Sequence, residues 1–137
     1  MVEARAQKPE QWVPDTLKPG SLGERLLTFA TGCLKLTDRM ARTASARHIS
    51  SQVIRSATSA GANYQEARGA ESRADFVHKL QVVLKELRET QYWLMLVQRA
   101  GLAPAGALAP LLTEADELIR MVVKSVLTAK SNTGKRG

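Results

Sequence analysis

Leu22, Leu26, Phe29, Ala30, Cys33, Thr37, Met40 and Ala41 recur at steps of three and four with polar residues between them, the repeat of an amphipathic helix with one buried stripe. The repeat opens at Ser21, three residues before Glu24. That is capping-box spacing, in which the hydroxyl takes the Glu24 amide and the carboxylate returns to the Ser21 amide. A first helix of about 22 residues is predicted from this start. A second is predicted from about Ala46 to Ala67, with Ile49, Val53, Ala57, Ala60 and Tyr64 on its stripe. Its centre, SATSAGAN, is almost all small side chains, which let a neighbouring backbone approach closely. Arg68-Gly69-Ala70 marks the turn. Ser72 and Asp75 form another capping pair, and a third helix runs without Pro or Gly to Ala100, where Gly101 supplies the stop. Residues 101–110, GLAPAGALAP, read as a connector. Pro110 then opens a fourth helix carrying Leu111, Ala115, Leu118, Ile119, Val122, Val126 and Ala129. Four amphipathic helices with short connections predict an all-α fold, an antiparallel up-down four-helix bundle.

The bundle domain is predicted over residues 21–130. Ahead of it, residues 1–20 hold Pro9, Pro14, Pro19 and Gly20 without periodicity and read as a flexible arm, with Trp12 as its one docking anchor. Residues 131–137 read as a basic disordered tail.

The third helix carries apolar residues on two faces. At about 100° per residue, Phe76, Leu80, Val83, Leu84, Leu87 and Leu94 share a narrow arc and form the bundle seam. Val82, Glu86, Trp93 and Leu96 lie on a separate flank, with Lys79, Glu89 and Val97 at its edges. In a monomer that flank would face water. A ridge holding a Trp, a Val and a Leu predicts a contact with another copy, because burying apolar area is favourable by about 25 cal/mol per Å². Val82, Glu86, Glu89, Tyr92, Trp93 and Leu96 are the expected oligomer interface. The alternative is that Trp93 covers a loose corner of its own bundle or receives the arm.

The run FVHKLQVVLKELRETQYWLMLVQRAGL, residues 76–102, follows SQVIRSATSAGANYQEARGAESRAD. In order, Ile54-Arg55, Asn63, Glu66, Ala67, Phe76, Lys79, Leu80, Leu84, Lys85, Glu86, Glu89, Thr90, Tyr92, Trp93 and Leu94 carry a resemblance. It is to the small four-helix bundle proteins encoded in intervening sequences of bacterial large-subunit ribosomal RNA genes. The resemblance covers about residues 47–102; the family's usual opening segment is absent, and the Pro-rich arm is added. It implies a ring-shaped homopentamer. It also implies kinship with the accessory protein of diversity-generating retroelements, whose basic pentamer binds a reverse transcriptase and RNA.

Charge sharpens this picture. The chain carries 20 Lys and Arg against 13 Asp and Glu, for a net charge of +7. Lys130, Lys135 and Arg136 supply three of those charges and residues 1–20 balance, which leaves +4 for residues 21–129. Between Arg39 and Arg55 stand four arginines and His48 with no acid. Repeated around a ring, such a cluster becomes a multivalent field for polyanions. Arg39, Arg42, Arg47, Arg55 and Lys124 are the expected contacts to RNA or DNA backbone. No aromatic platform accompanies them, so base-specific reading of single strands is not expected.

Chemistry is poorly represented. His48 and His78 fall on different helices with no His-x-x-x-His, Cys-x-x-Cys or Glu-x-x-His spacing, so no metal site is expected. No Gly-rich phosphate loop occurs. Glu86 and Glu89 share a helix face, but their expected role is pairing with Lys79, Lys85 or an arginine across a subunit contact, and not acid–base work. Cys33 reads as a buried inert thiol. The N-terminal sequence lacks the apolar centre of a signal peptide, and no apolar run reaches the roughly 18 residues of a membrane span. The expectation is a cytoplasmic, cofactor-free, non-enzymatic oligomeric scaffold for nucleic acid, with a partner enzyme such as a reverse transcriptase. The alternative is a structural or protein-binding module whose basic surface is incidental.

Overall fold

The computed structural model of the protein describes residues 17–136, with side chains through residue 131. The expected arm, Trp12 included, lies outside the described residues except for Leu17 to Gly20. Four helices follow: α1 (Leu22–Thr37), α2 (Ala44–Arg68), α3 (Arg73–Ala100) and α4 (Ala105–Arg136). Each packs on its chain neighbour and α1 closes the circle against α4, which is an up-down bundle. No strand occurs among the described residues. The expected fold class is the observed one.

Local chemistry accounts for most helix ends. Ser21 accepts the Glu24 amide at 3.2 Å. Only half of the predicted box forms, because the Ser21 amide donates to the Lys18 carbonyl at 3.0 Å and the Glu24 carboxylate accepts from Thr28. That Lys18–Ser21 turn has Pro19 second and Gly20 third with φ +82°, the signature of type II. Ser72 caps α3 through the Asp75 amide at 3.0 Å. Gly101 ends α3 at φ +65°, a left-handed conformation that glycine enters at no steric cost.

Three boundaries differ from expectation. α1 has 16 residues and not about 22. No Gly or Pro marks its stop; after Thr37 the chain turns so that Met40 enters the core and the Ala41 amide donates to the Leu102 carbonyl at 2.9 Å. That bond ties the α1–α2 connector to the α3–α4 connector. α4 starts at Ala105, so the connector is shorter than 101–110 and Pro110 stands in the second turn. Proline removes one hydrogen bond there, to Gly106. Both residues are exposed, which leaves the freed carbonyl on the solvent side of the helix and not in the core. Starting early brings Leu108 into the core seven residues ahead of Ala115. The helix also continues past the expected boundary at residue 130, to Arg136.

The core is built mostly from the predicted stripes: Leu26, Phe29 and Cys33 of α1, Val53, Ala57, Ala60 and Tyr64 of α2, and Ala115, Leu118 and Val122 of α4. Leu36 joins it from outside the predicted stripe, and Ala41, placed on that stripe, is exposed. Along α3 it takes Phe76, Leu80, Val83, Leu87, Thr90, Leu94 and Val97, while Leu84 is half-buried. Thr90 and Val97 therefore belong to the seam. The buried Thr90 hydroxyl lies 2.7 Å from Ser56 Oγ, and Ser56 donates to the Gln52 carbonyl at 2.9 Å. This polar pair is fully satisfied, which fixes the register of α2 on α3 without an orphaned group. Burial pushes the Cys33 thiol up to about 12.

Candidate nucleic-acid and assembly surfaces

The end of the bundle where α1 and α3 finish and α2 and α4 begin is strongly basic. Residues 35–48 and 97–108 hold Lys35, Arg39, Arg42, Arg47 and Arg99 against Asp38 alone. Lys35, Arg39, Arg42, Arg47, His48 and Arg99 are all exposed. Arg42 and Arg47 line a shallow depression of about 730 Å³ with Ser50 and Ser51. Thr43 caps α2 through the Ala46 amide at 3.2 Å, and no acid stands in the first turn of α2 or α4. The C-termini of α1 and α3 lie at the same end and offset the N-termini of α2 and α4, so the positive potential there comes from the side chains. Arg99 was not singled out by the charge run in the sequence. It arrives from another helix, and its last-turn position just before Gly101 was the available signal.

Arg55 and Lys124 sit elsewhere. The Arg55 guanidinium reaches Glu86 at 3.3 Å and also bonds Glu89, so two carboxylates answer its charge. Lys124 lies about 28 Å along α4 from the helix start, beside Tyr64, Arg68 and Phe76 at the other end of the bundle. The structure brings together Arg39, Arg42 and Arg47 and separates the other two from them.

The α3 flank does not face water as the helical arc suggested. Glu86 accepts from Arg55 and from Ser59 at 3.1 Å, both on α2. Glu89 accepts from Arg55 and from the Trp93 indole N–H at 3.0 Å. Trp93 is half-buried against the core, with the His48 ring edge-on at 6.3 Å. Leu96 also packs on the core, and Val82 is half-buried. The arginine partner expected across a subunit contact is Arg55 of the same chain. A single helix's periodicity gives the angle of each residue but not which neighbour stands there, so a flank facing α2 read as a flank facing solvent. What α3 does expose is Tyr92, 58% accessible, and Met95.

A second clasp has the same plan. Arg25 of α1 forks onto Glu114 at 2.7 and 3.0 Å and reaches Glu117 at 2.8 Å. The bonds to Glu114, then those to Glu117, raise the Arg25 pKa and hold its charge. In both clasps an arginine bridges carboxylates three residues apart on the next helix. The bidentate geometry is strong and directional.

The apolar surface the sequence did not flag lies on α1. Leu27 and Leu34 are exposed and line a groove with Leu17, Leu26, Ala30, Gly61 and Ala62. Their seven-residue spacing off the main stripe was a usable signal. Among the described residues no group of three or more His, Cys, Asp or Glu side chains is placed to hold a metal. Among the described residues no helix is long and apolar enough to cross a membrane.

The family model of the 23S rRNA-intervening sequence proteins matches residues 24–124. The chain belongs to that family. A crystal structure similar to it is that of a protein with unknown function from the S23 ribosomal protein family of Bacteroides thetaiotaomicron. The two share 32% identity with a TM-score of 0.72, over 77% of this chain and 98% of the other. No curated protein matches. The 23S rRNA-intervening sequence family thus contributes the bundle itself, while residues 1–23 lie ahead of the matched region.

Proposed function

We propose that this member of the intervening-sequence family is a non-enzymatic, homo-oligomeric scaffold that binds the phosphate backbone of RNA or DNA through its basic end. The pentamer implied by the family resemblance would repeat that end once per subunit. The observation that carries the reading is the convergence of Arg39, Arg42, Arg47 and Arg99 on one end with Asp38 as the sole acid there. Phosphate contacts of this kind release counterions and are insensitive to sequence. Assembly is assigned to the exposed Tyr92–Met95 ridge of α3 and its edge at Trp93. A partner enzyme such as a reverse transcriptase would work beside the basic end.

Titrating labelled RNA at two salt concentrations tests the binding. Affinity should fall steeply with salt, and replacing Arg39, Arg42 and Arg47 with Ala should lower the slope by about 0.9 per lost phosphate contact on duplex and about 0.7 on single strands. No binding at either salt, or a triple variant that binds like the parent, overturns it. The second reading is a protein-interaction module. It is favoured by the pairing of Arg25, Arg55 and Arg120 with carboxylates, which answers those arginine charges on the bundle's sides.

A further inference from the structure

We propose that residues 11–16 of the chain, anchored by Trp12, occupy the apolar groove between α1 and α2 of the same subunit. The inference goes beyond the nucleic-acid reading and does not depend on it. The groove has a volume of about 380 Å³. Its walls are Leu26, Leu27, Ala30 and Leu34 on one side and Gly61 and Ala62 on the other. It exists because α2 offers only small side chains opposite α1: a Cβ placed on Gly61 would meet nothing nearer than Leu26 Cβ at 3.8 Å.

The occupant follows from where the chain enters. Leu17 lines the groove, and the Lys18–Ser21 turn reverses the chain just ahead of α1. Leu17, the residue that the segment joins, thus stands at the groove itself. The residues preceding it read Gln11-Trp12-Val13-Pro14-Asp15-Thr16, whose Trp12 and Val13 are apolar and adjacent. Five residues span at most about 17 Å. The groove's α1 wall from Gly23 to Leu34 is about 16 Å long at helical rise, so Trp12 can reach any part of it without leaving its own subunit. The segment lies ahead of the family match at residue 24, which makes it an addition to the shared bundle. Pro14 within the segment also reduces the conformational freedom lost on docking. Seated there, it would cover Leu27 and Leu34 and leave the α3 ridge as the open apolar surface.

The full chain carrying Trp93→Phe has Trp12 as its one indole. Its emission should be blue-shifted and protected from acrylamide, and Leu27→Glu or Ala62→Glu should return both to solvent values while far-UV circular dichroism stays unchanged. Emission at the solvent value in the parent, or protection untouched by both groove variants, overturns the proposal. Occupancy by a second copy is tested by mixing the Leu27→Glu chain, Trp12 intact, with a Trp-free chain carrying Trp12→Ala, Trp93→Phe and an open groove. Restored protection would place the segment in the neighbour's groove and overturn the same-subunit assignment. Should Trp93→Phe fail to fold, Val13→Cys reports the same contact. Its thiol should react at least tenfold more slowly with Ellman's reagent than after Leu27→Glu, since native Cys33 is buried; equal rates overturn the proposal.

Discussion

The two sides of α2 are finished differently. Toward α3, long side chains close the seam: Arg55 is gripped by Glu86 and Glu89, Ser59 bonds Glu86, and Ser56 meets Thr90 in the core. Toward α1, Thr58, Gly61 and Ala62 leave a groove with exposed leucines along its rim. The first side specifies register and orientation, and the second leaves apolar surface unspent for another contact. Small residues allowed close approach, as expected from SATSAGAN, but they did not fill the space that the leucines of α1 frame.

The largest test compares two fully buried leucines. Leu87 stands in the closed seam and Leu26 beside the groove. Leu87→Ala should lower unfolding stability by about 3–4 kcal/mol in urea titrations and Leu26→Ala by about 2–3, because a wall faced by small side chains collapses more easily around a deletion than a closed seam does. Equal losses would mean that the α1 side is packed as tightly as the α3 side.

Trp93→Glu comes next. It removes a half-buried indole and sets a carboxylate one turn from Glu89 in place of a donor. Thermal or urea unfolding should show a loss of about 2–3 kcal/mol. By contrast, Tyr92→Glu with Met95→Glu should leave stability within about 0.5 kcal/mol, as expected of exposed sites. The double variant should instead lower the mass measured by light scattering, and an unchanged mass would remove the α3 ridge from the assembly surface.

Much of this molecule was readable before its coordinates. Ser72, Asp75 and Gly101 announced the ends of α3 because a cap and a left-handed stop are local chemistry. The four stripes named most core positions for the same reason, though not Leu36, Thr90, Val97 or Leu108. What escaped reading depended on partners from elsewhere in the chain. Thr37 ends α1 through a core contact at Met40 and a bond from Ala41 to Leu102, neither visible within the helix itself. Pro110 looked like a helix start, yet Leu108 had to reach the core and pulled the start forward. The arginine run from 39 to 55 looked like one patch, but Arg55 lies on the clasp and Arg99 joins from α3. In α3 the wetted flank was inferred from angle alone, while the equivalent leucine row on α1 went unweighed.

Gly61→Ala probes the open side with a smaller effect. The new methyl would sit at ordinary contact distance from Leu26, so the helix propensity gain of about 0.8–1.0 kcal/mol should appear as increased stability. A loss would show that α1 sits closer to α2 than the groove implies. The same substitution should leave RNA affinity unchanged, since it lies well away from the basic end.

The smallest effect comes from Cys33 on α1, and it reads how firmly that helix stays down. Burial raises the thiol from 9.0 to about 12. Between those values the unfolded chain releases a proton that the folded chain keeps, so the unfolded state binds fewer protons and stability falls as pH rises. Below pH 9 the contribution is complete. From pH 9 upward the loss approaches about 1.4 kcal/mol per unit, so a rise only to pH 9.5 costs a fraction of that. Ellman's reagent at pH 8 then distinguishes local from global opening. With α1 held to α2 across small side chains and not by an ionic seam, Cys33 should react faster than global unfolding permits, through lifting of α1 alone. A rate equal to that computed from urea-derived stability would mean that α1 and the α2–α3 seam open together, and the two sides of α2 would then be one cooperative unit.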